Sequence, residues 1–92
     1  MSDQHKDLRD SLEQLHSEIQ RTEPADDTQR EHLESMQNDV RAVLDTPGAV
    51  APAQAASLSH SLTNSLEHFE ATHPALTSLV EQVLSTLSNL GV

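Results

Sequence analysis

From Leu58 to Leu90 the chain reads LSHSLTNSLEHFEATHPALTSLVEQVLSTLSNL. Leu62, Phe69, Leu76, Val83 and Leu90 recur with a seven-residue period, flanked by Leu58, Leu66, Leu79, Val80 and Leu87. That spacing lays apolar side chains along one stripe of an α-helix. His73-Pro74 cuts the stretch in two, because proline is costly inside a helix and welcome in its first turn. Two helices are predicted, over about 53–71 and 74–90. The second carries seven large apolar residues in fifteen positions. Such a helix is expected either to be the most buried or to bury one face in a partner.

The first half repeats the pattern. Leu12, Ile19, Leu33 and Val40 keep one period, with Leu8, Leu15, Met36 and Val43 beside them. Helices are predicted over about 3–21, with Ser2 or Asp3 as cap, and over about 26–45. The second of these begins within 24–28: Asp26 and Asp27 suit a helix N-terminus, and Thr28-Gln29-Arg30-Glu31 matches a capping box. Asp26/Arg30 and Arg30/Glu34 read as surface pairs. The heptad register survives Pro24, which would allow one long kinked helix in a dimeric coiled coil. The polar seam positions Thr22, Asp26 and Gln29 favour an antiparallel hairpin instead. Thr46 to Pro52, with two prolines and Gly48, is the only linker-like stretch. At the far end Gly91 and Val92 fit a Schellman cap on Leu87.

The whole chain of 92 residues has room for one small helical domain. Leu, Ile, Val and Phe supply 21 of those residues, just above the ~20% level below which chains stay disordered. A chain of this length buries only ~60–65% of its unfolded surface, so homo-oligomerisation would complete the fold. There is no cysteine, which excludes disulfides, thiolate catalysis and Cys-ligated metal. Phe69 is the only aromatic of the Phe, Trp and Tyr class, too few for a base-stacking platform. Met1-Ser2-Asp3-Gln4-His5-Lys6 has no apolar segment of the signal-peptide kind, and no apolar run approaches a membrane span. A cytoplasmic protein is expected.

The formal net charge is −10 and is unevenly spread. Residues 1–46 hold twelve acids and all five bases; residues 47–92 hold Glu67, Glu70 and Glu81 and no base. An acidic chain without a basic stripe repels phosphate backbones and anionic membranes, so neither nucleic acid nor membrane is expected as a partner.

Glu13-x-x-His16 and Glu70-x-x-His73, with Glu34 and Glu81, have the composition of a carboxylate di-iron site. Glu13 and Glu70 stand one residue outside the apolar stripes, however, and His73 sits at a break, so no metal is expected. Ser59-His60-Ser61 places nucleophile and base side by side, but adjacent helix residues do not face each other. With no glycine-rich loop either, no catalytic residues and no cofactor are expected, and the protein is read as not an enzyme.

The block Leu66-Glu67-His68-Phe69-Glu70-Ala71-Thr72-His73-Pro74-Ala75-Leu76 carries a resemblance. Together with Leu87-Ser88-Asn89-Leu90-Gly91-Val92 and Leu12-Glu13-Gln14-Leu15-His16, it resembles a family of short bacterial proteins known as domain of unknown function 4404. The resemblance implies a bacterial, soluble, helical protein with no assigned activity, and it brings no catalytic residues. Within the block, Phe69 reads as an anchor, Pro74 as the first turn of the next helix, and His73 as a side chain that bonds a free backbone group at the corner.

The residues therefore predict an all-α, four-helix domain of two antiparallel hairpins joined at 46–52. The expected role is protein–protein interaction, as adaptor, regulator or self-associating protein. Leu58, Leu62, Phe69, Leu79, Val83, Leu87 and Leu90 are the expected partner-binding edge. The alternatives are an acidic nucleic-acid mimic that binds a basic partner, and a metal-binding helical protein.

Overall fold

The structure, a computed structural model, describes residues 3–46 and 50–89, with side chains from Lys6 onward. The expected cap at Ser2 or Asp3, the Pro47-Gly48 break and the Gly91/Val92 cap lie outside the described residues or side chains.

Four helices follow one another: α1 (Asp3–Arg21), α2 (Asp27–Asp45), α3 (Pro52–Phe69) and α4 (Pro74–Asn89). α1 packs on α2 and α4, and α3 packs on the same two, with no diagonal packing among the described residues. Side-chain bonds give the directions. Arg9, early in α1, reaches the end of α2, and Gln29, early in α2, reaches the end of α3. Neighbours in sequence are thus antiparallel, and the two predicted hairpins close into an up-down-up-down bundle measuring 41 × 20 × 19 Å.

One core fills the bundle, built from both apolar series, Leu8 to Val43 and Ala55 to Leu87. Ser11, Gln29 and Ser65 join it as buried polar residues. Ser65 satisfies its hydroxyl on the Ser61 carbonyl at 3.0 Å, as a buried polar group must.

α2 starts within the predicted 24–28 window, at the Asp26 cap and not at the Thr28–Glu31 box. Asp26 is the N-cap, its carboxylate accepting from the Gln29 amide at 2.9 Å. Gln29 Oε1 in turn accepts from the Ala25 amide at 2.8 Å. Asp26 and Gln29 have the three-residue spacing that the box requires, and Gln29 gains further bonds on α3, so this register displaces Thr28–Glu31. Arg30 meets Asp27 at 3.9 Å rather than Asp26 or Glu34. α3 takes Pro52 into its first turn and stops at Phe69, two residues short of the predicted end. The chain turns over Glu70–Thr72, and the His73 amide closes the turn on the Phe69 carbonyl at 2.8 Å.

α2 has no base in its last turn. α1 supplies one: the Arg9 guanidinium donates to the Leu44 carbonyl at 3.0 Å and the Thr46 carbonyl at 2.6 Å. A cation on two orphan carbonyls at a helix C-terminus stabilises both the end and the hairpin.

At the opposite end a chain of hydrogen bonds ties the two tight connections together. Gln29 Nε2 donates to the His68 carbonyl at 2.6 Å and to Thr72 Oγ1 at 3.0 Å. Thr72 Oγ1 lies 2.8 Å from His73 Nδ1, and His73 Nε2 lies 2.9 Å from the Glu23 carbonyl. A carbonyl only accepts, so His73 donates through Nε2, and in the neutral ring Nδ1 then accepts from Thr72. Gln29→Ala removes the two bonds that Gln29 donates, to the His68 carbonyl and to Thr72. It is expected to cost about 1–3 kcal/mol, the penalty for stranding part-buried partners, read as a lower urea midpoint in chemical denaturation.

Candidate functional site

Five of the seven residues expected to form an exposed partner-binding edge are interior. Leu58, Leu62, Phe69, Val83 and Leu87 are all no more than 1% exposed. Leu79 is half-buried and packs on the core, and Leu90 lies outside the described residues. The expectation of an exposed apolar edge is corrected accordingly. The breadth of the α4 stripe serves two neighbours at once, α1 on one flank and α3 on the other. In a closed bundle every helix needs that breadth.

The same holds across the molecule. Every described Leu, Val, Ile, Met and Phe side chain is buried or half-buried. The surface is polar and divided. Asp7, Asp10, Glu13, Glu31, Glu34 and Asp45 stand exposed on α1 and α2. Among the described residues only Glu18 and Asp27 meet a cation, Arg21 at 2.7 Å and Arg30 at 3.9 Å. α3 and α4 expose small neutral side chains instead, among them Ala53, Ala56, Thr63, Ala75, Ser78 and Ser85. Because α1 and α2 are adjacent, as are α3 and α4, the division of charge along the chain becomes two walls of one bundle.

Between α2 and α3 the surface is indented. A groove of about 250 Å³ is lined by His32, Ser35, Asp39, Ser57, His60, Ser61 and Asn64. Ser35 and Ser61 bring their hydroxyls to 3.4 Å across the seam. His60 Nε2 lies 3.1 Å from Asn64 Nδ2, and His32 Nδ1 lies 3.3 Å from Ser65 Oγ. The His32 ring stacks on His68 with centroids 4.1 Å apart. These short side chains hold the helices close and leave room above the seam.

The residues weighed for metal are not gathered. Glu13, Glu34, Glu70 and Glu81 are exposed on four different segments, and His73 is engaged at Glu23. Among the described residues no group of three or more His, Asp or Glu is placed to hold a metal ion. His16 is half-buried, and its Nδ1 is buried without a hydrogen-bond partner. Of the Ser59-His60-Ser61 run, His60 turns to Asn64 and Ser61 to Ser35. No helix among the described residues is long and apolar enough to cross a membrane.

A family model described as domain of unknown function (DUF4404) matches residues 8–92. The chain belongs to this family. No curated protein and no solved structure matches it. In this DUF4404 chain the Phe-Glu-Ala-Thr-His-Pro block, on which the resemblance rested, has a defined task. Phe69 is buried at the corner with His73 edge-on to it, centroids 5.7 Å apart, and His73 and Thr72 carry the bonds to the other connection.

Sequence reasoning placed Gln29 on the seam without its partners and missed Asp39. Gln29 had a signal: it falls in register with Leu33, Met36 and Val40, where a glutamine must find buried partners. Asp39 had none, because its place beside Ser61 and Asn64 depends on how α2 and α3 pack.

Proposed function

We propose that the DUF4404 chain is a non-enzymatic protein that acts by binding another protein, as adaptor or regulator, and that this recognition is polar. The cytoplasm, the absence of a cofactor and the capacity to bind a second copy belong to the same reading. One observation carries it: the apolar residues that would dock a partner helix are used inside the bundle, leaving a surface of charges, hydroxyls and amides. A partner that meets such a surface is held by charge and hydrogen bonds, which salt screens.

A second reading is favoured by the unpaired acids of α1 and α2. A wall of carboxylates on a rigid bundle could stand in for a phosphate backbone and occupy the basic groove of a partner.

Affinity capture with the tagged chain, washed at low and at high salt, tests both readings. The expected result is a stoichiometric partner kept at low salt, lost at high salt, and weakened by Glu31→Lys with Glu34→Lys. Displacement of that partner by duplex DNA would favour the mimic. A partner that survives high salt would overturn polar recognition, and self-association alone would leave an oligomer in place of an adaptor.

A further inference from the structure

We infer that the groove between α2 and α3 takes the guanidinium of an arginine side chain from a basic partner protein, with Asp39 as its counter-charge. The inference rests on the function proposed above and names the chemistry of the partner.

Asp39 is half-buried in the groove wall. Among the described residues no cation pairs with it; the only ion pairs are Arg21–Glu18 and Arg30–Asp27. Arg41, two residues on, cannot serve, because helix positions two apart do not face each other. A carboxylate partly withdrawn from water gains from an external cation.

The rest of the lining selects the form of that cation. Ser35 and Ser61 offer hydroxyl oxygens. Asn64 spends its Nδ2 on His60 Nε2, and its Oδ1 remains an acceptor. A guanidinium has five N–H donors and no acceptor, so the Asp39 carboxylate with hydroxyl and amide oxygens beside it suits it, while the His32 and His60 rings complete the wall. The lining residues are all polar, with no aliphatic side chain among them, so a purely apolar ligand leaves their hydrogen-bonding groups unmatched. An anion would face Asp39 within a chain of net charge −10, and that same field draws cations toward the groove. The volume of about 250 Å³ admits a side chain rather than a folded segment.

The test is an NMR titration of the intact ¹⁵N-labelled chain with N-acetyl-argininamide, with N-acetyl-glutaminamide as the neutral control. Saturable shifts are expected at the Ser35, Asp39, Ser61 and Asn64 amides with the arginine probe alone. Asp39→Asn should weaken binding about tenfold, the size of a lost charge-assisted bond, without lowering the thermal midpoint. Glu81→Gln, at an exposed acid on α4 outside the groove and the acidic wall, should change affinity by no more than about twofold, as surface charges do. No saturable shift, shifts spread over the α1 and α2 acids, or an Asp39→Asn variant that binds like the parent would each overturn the groove. If the groove fails while the captured partner remains salt-sensitive, polar recognition stands without it. If the probe binds as expected and no partner is captured, the adaptor reading fails alone.

Discussion

Val83→Glu is expected to abolish cooperative folding rather than to strip a partner from a folded chain. Val83 is fully buried, in a core cluster with Leu12, Leu62 and Leu87. A carboxylate there loses its hydration and meets no cation, a cost of several kcal/mol. A small domain has only about 5–15 kcal/mol of stability in all. Circular dichroism on heating should show no sharp transition. Gln82→Glu is the control one position away: Gln82 is exposed, so the same charge on the same turn should leave the midpoint within a few degrees. A Val83→Glu protein that melted normally and lost a bound partner would restore the docking edge and disprove the closed core.

Phe69→Ala is expected to be the most costly of the truncations at the α3–α4 corner. Phe69 is the largest fully buried side chain, and its removal opens a cavity between the end of α3 and the His73 ring. Phe→Ala in a core costs about 3–5 kcal/mol. In a domain of this size that lowers the melting midpoint by more than about 10 °C. Urea denaturation should show a lower midpoint with an unchanged slope, because the surface exposed on unfolding is nearly the same. Ala71→Ser, on the exposed turn two residues later, should be close to neutral. A loss below about 1.5 kcal/mol at Phe69 would mean that the site collapses without it, as tolerant core positions do, and that it does not anchor the corner.

These two variants separate local from non-local information. The placing of α1 at Asp3–Arg21 and the start of α4 at Pro74 were legible because both depend on neighbours within a few residues. Apolar spacing sets a helical face, and Pro24, Pro52 and Pro74 limit where a helix can continue. The start of α2 was legible only to within a turn. Asp26–Gln29 and Thr28–Glu31 offer similar local caps, and the bonds from Gln29 to His68 and Thr72 tip the balance from forty residues away. His73 was legible as a corner residue in search of a backbone partner; that the partner is the Glu23 carbonyl was not.

The sequence by itself determined four amphipathic helices, their breaks, an acidic half and a neutral half, because periodicity, proline and charge are properties of the chain read in order. Tertiary structure alone decided what the stripes face. A stripe broad enough to contact a partner looks the same in sequence as one that contacts two neighbours in a closed bundle, so Leu58, Leu62, Phe69, Val83 and Leu87 became core. Packing likewise set Asp39 among hydroxyls from the next helix, since contacts between residues more than twenty positions apart depend on helix axes and not on local order.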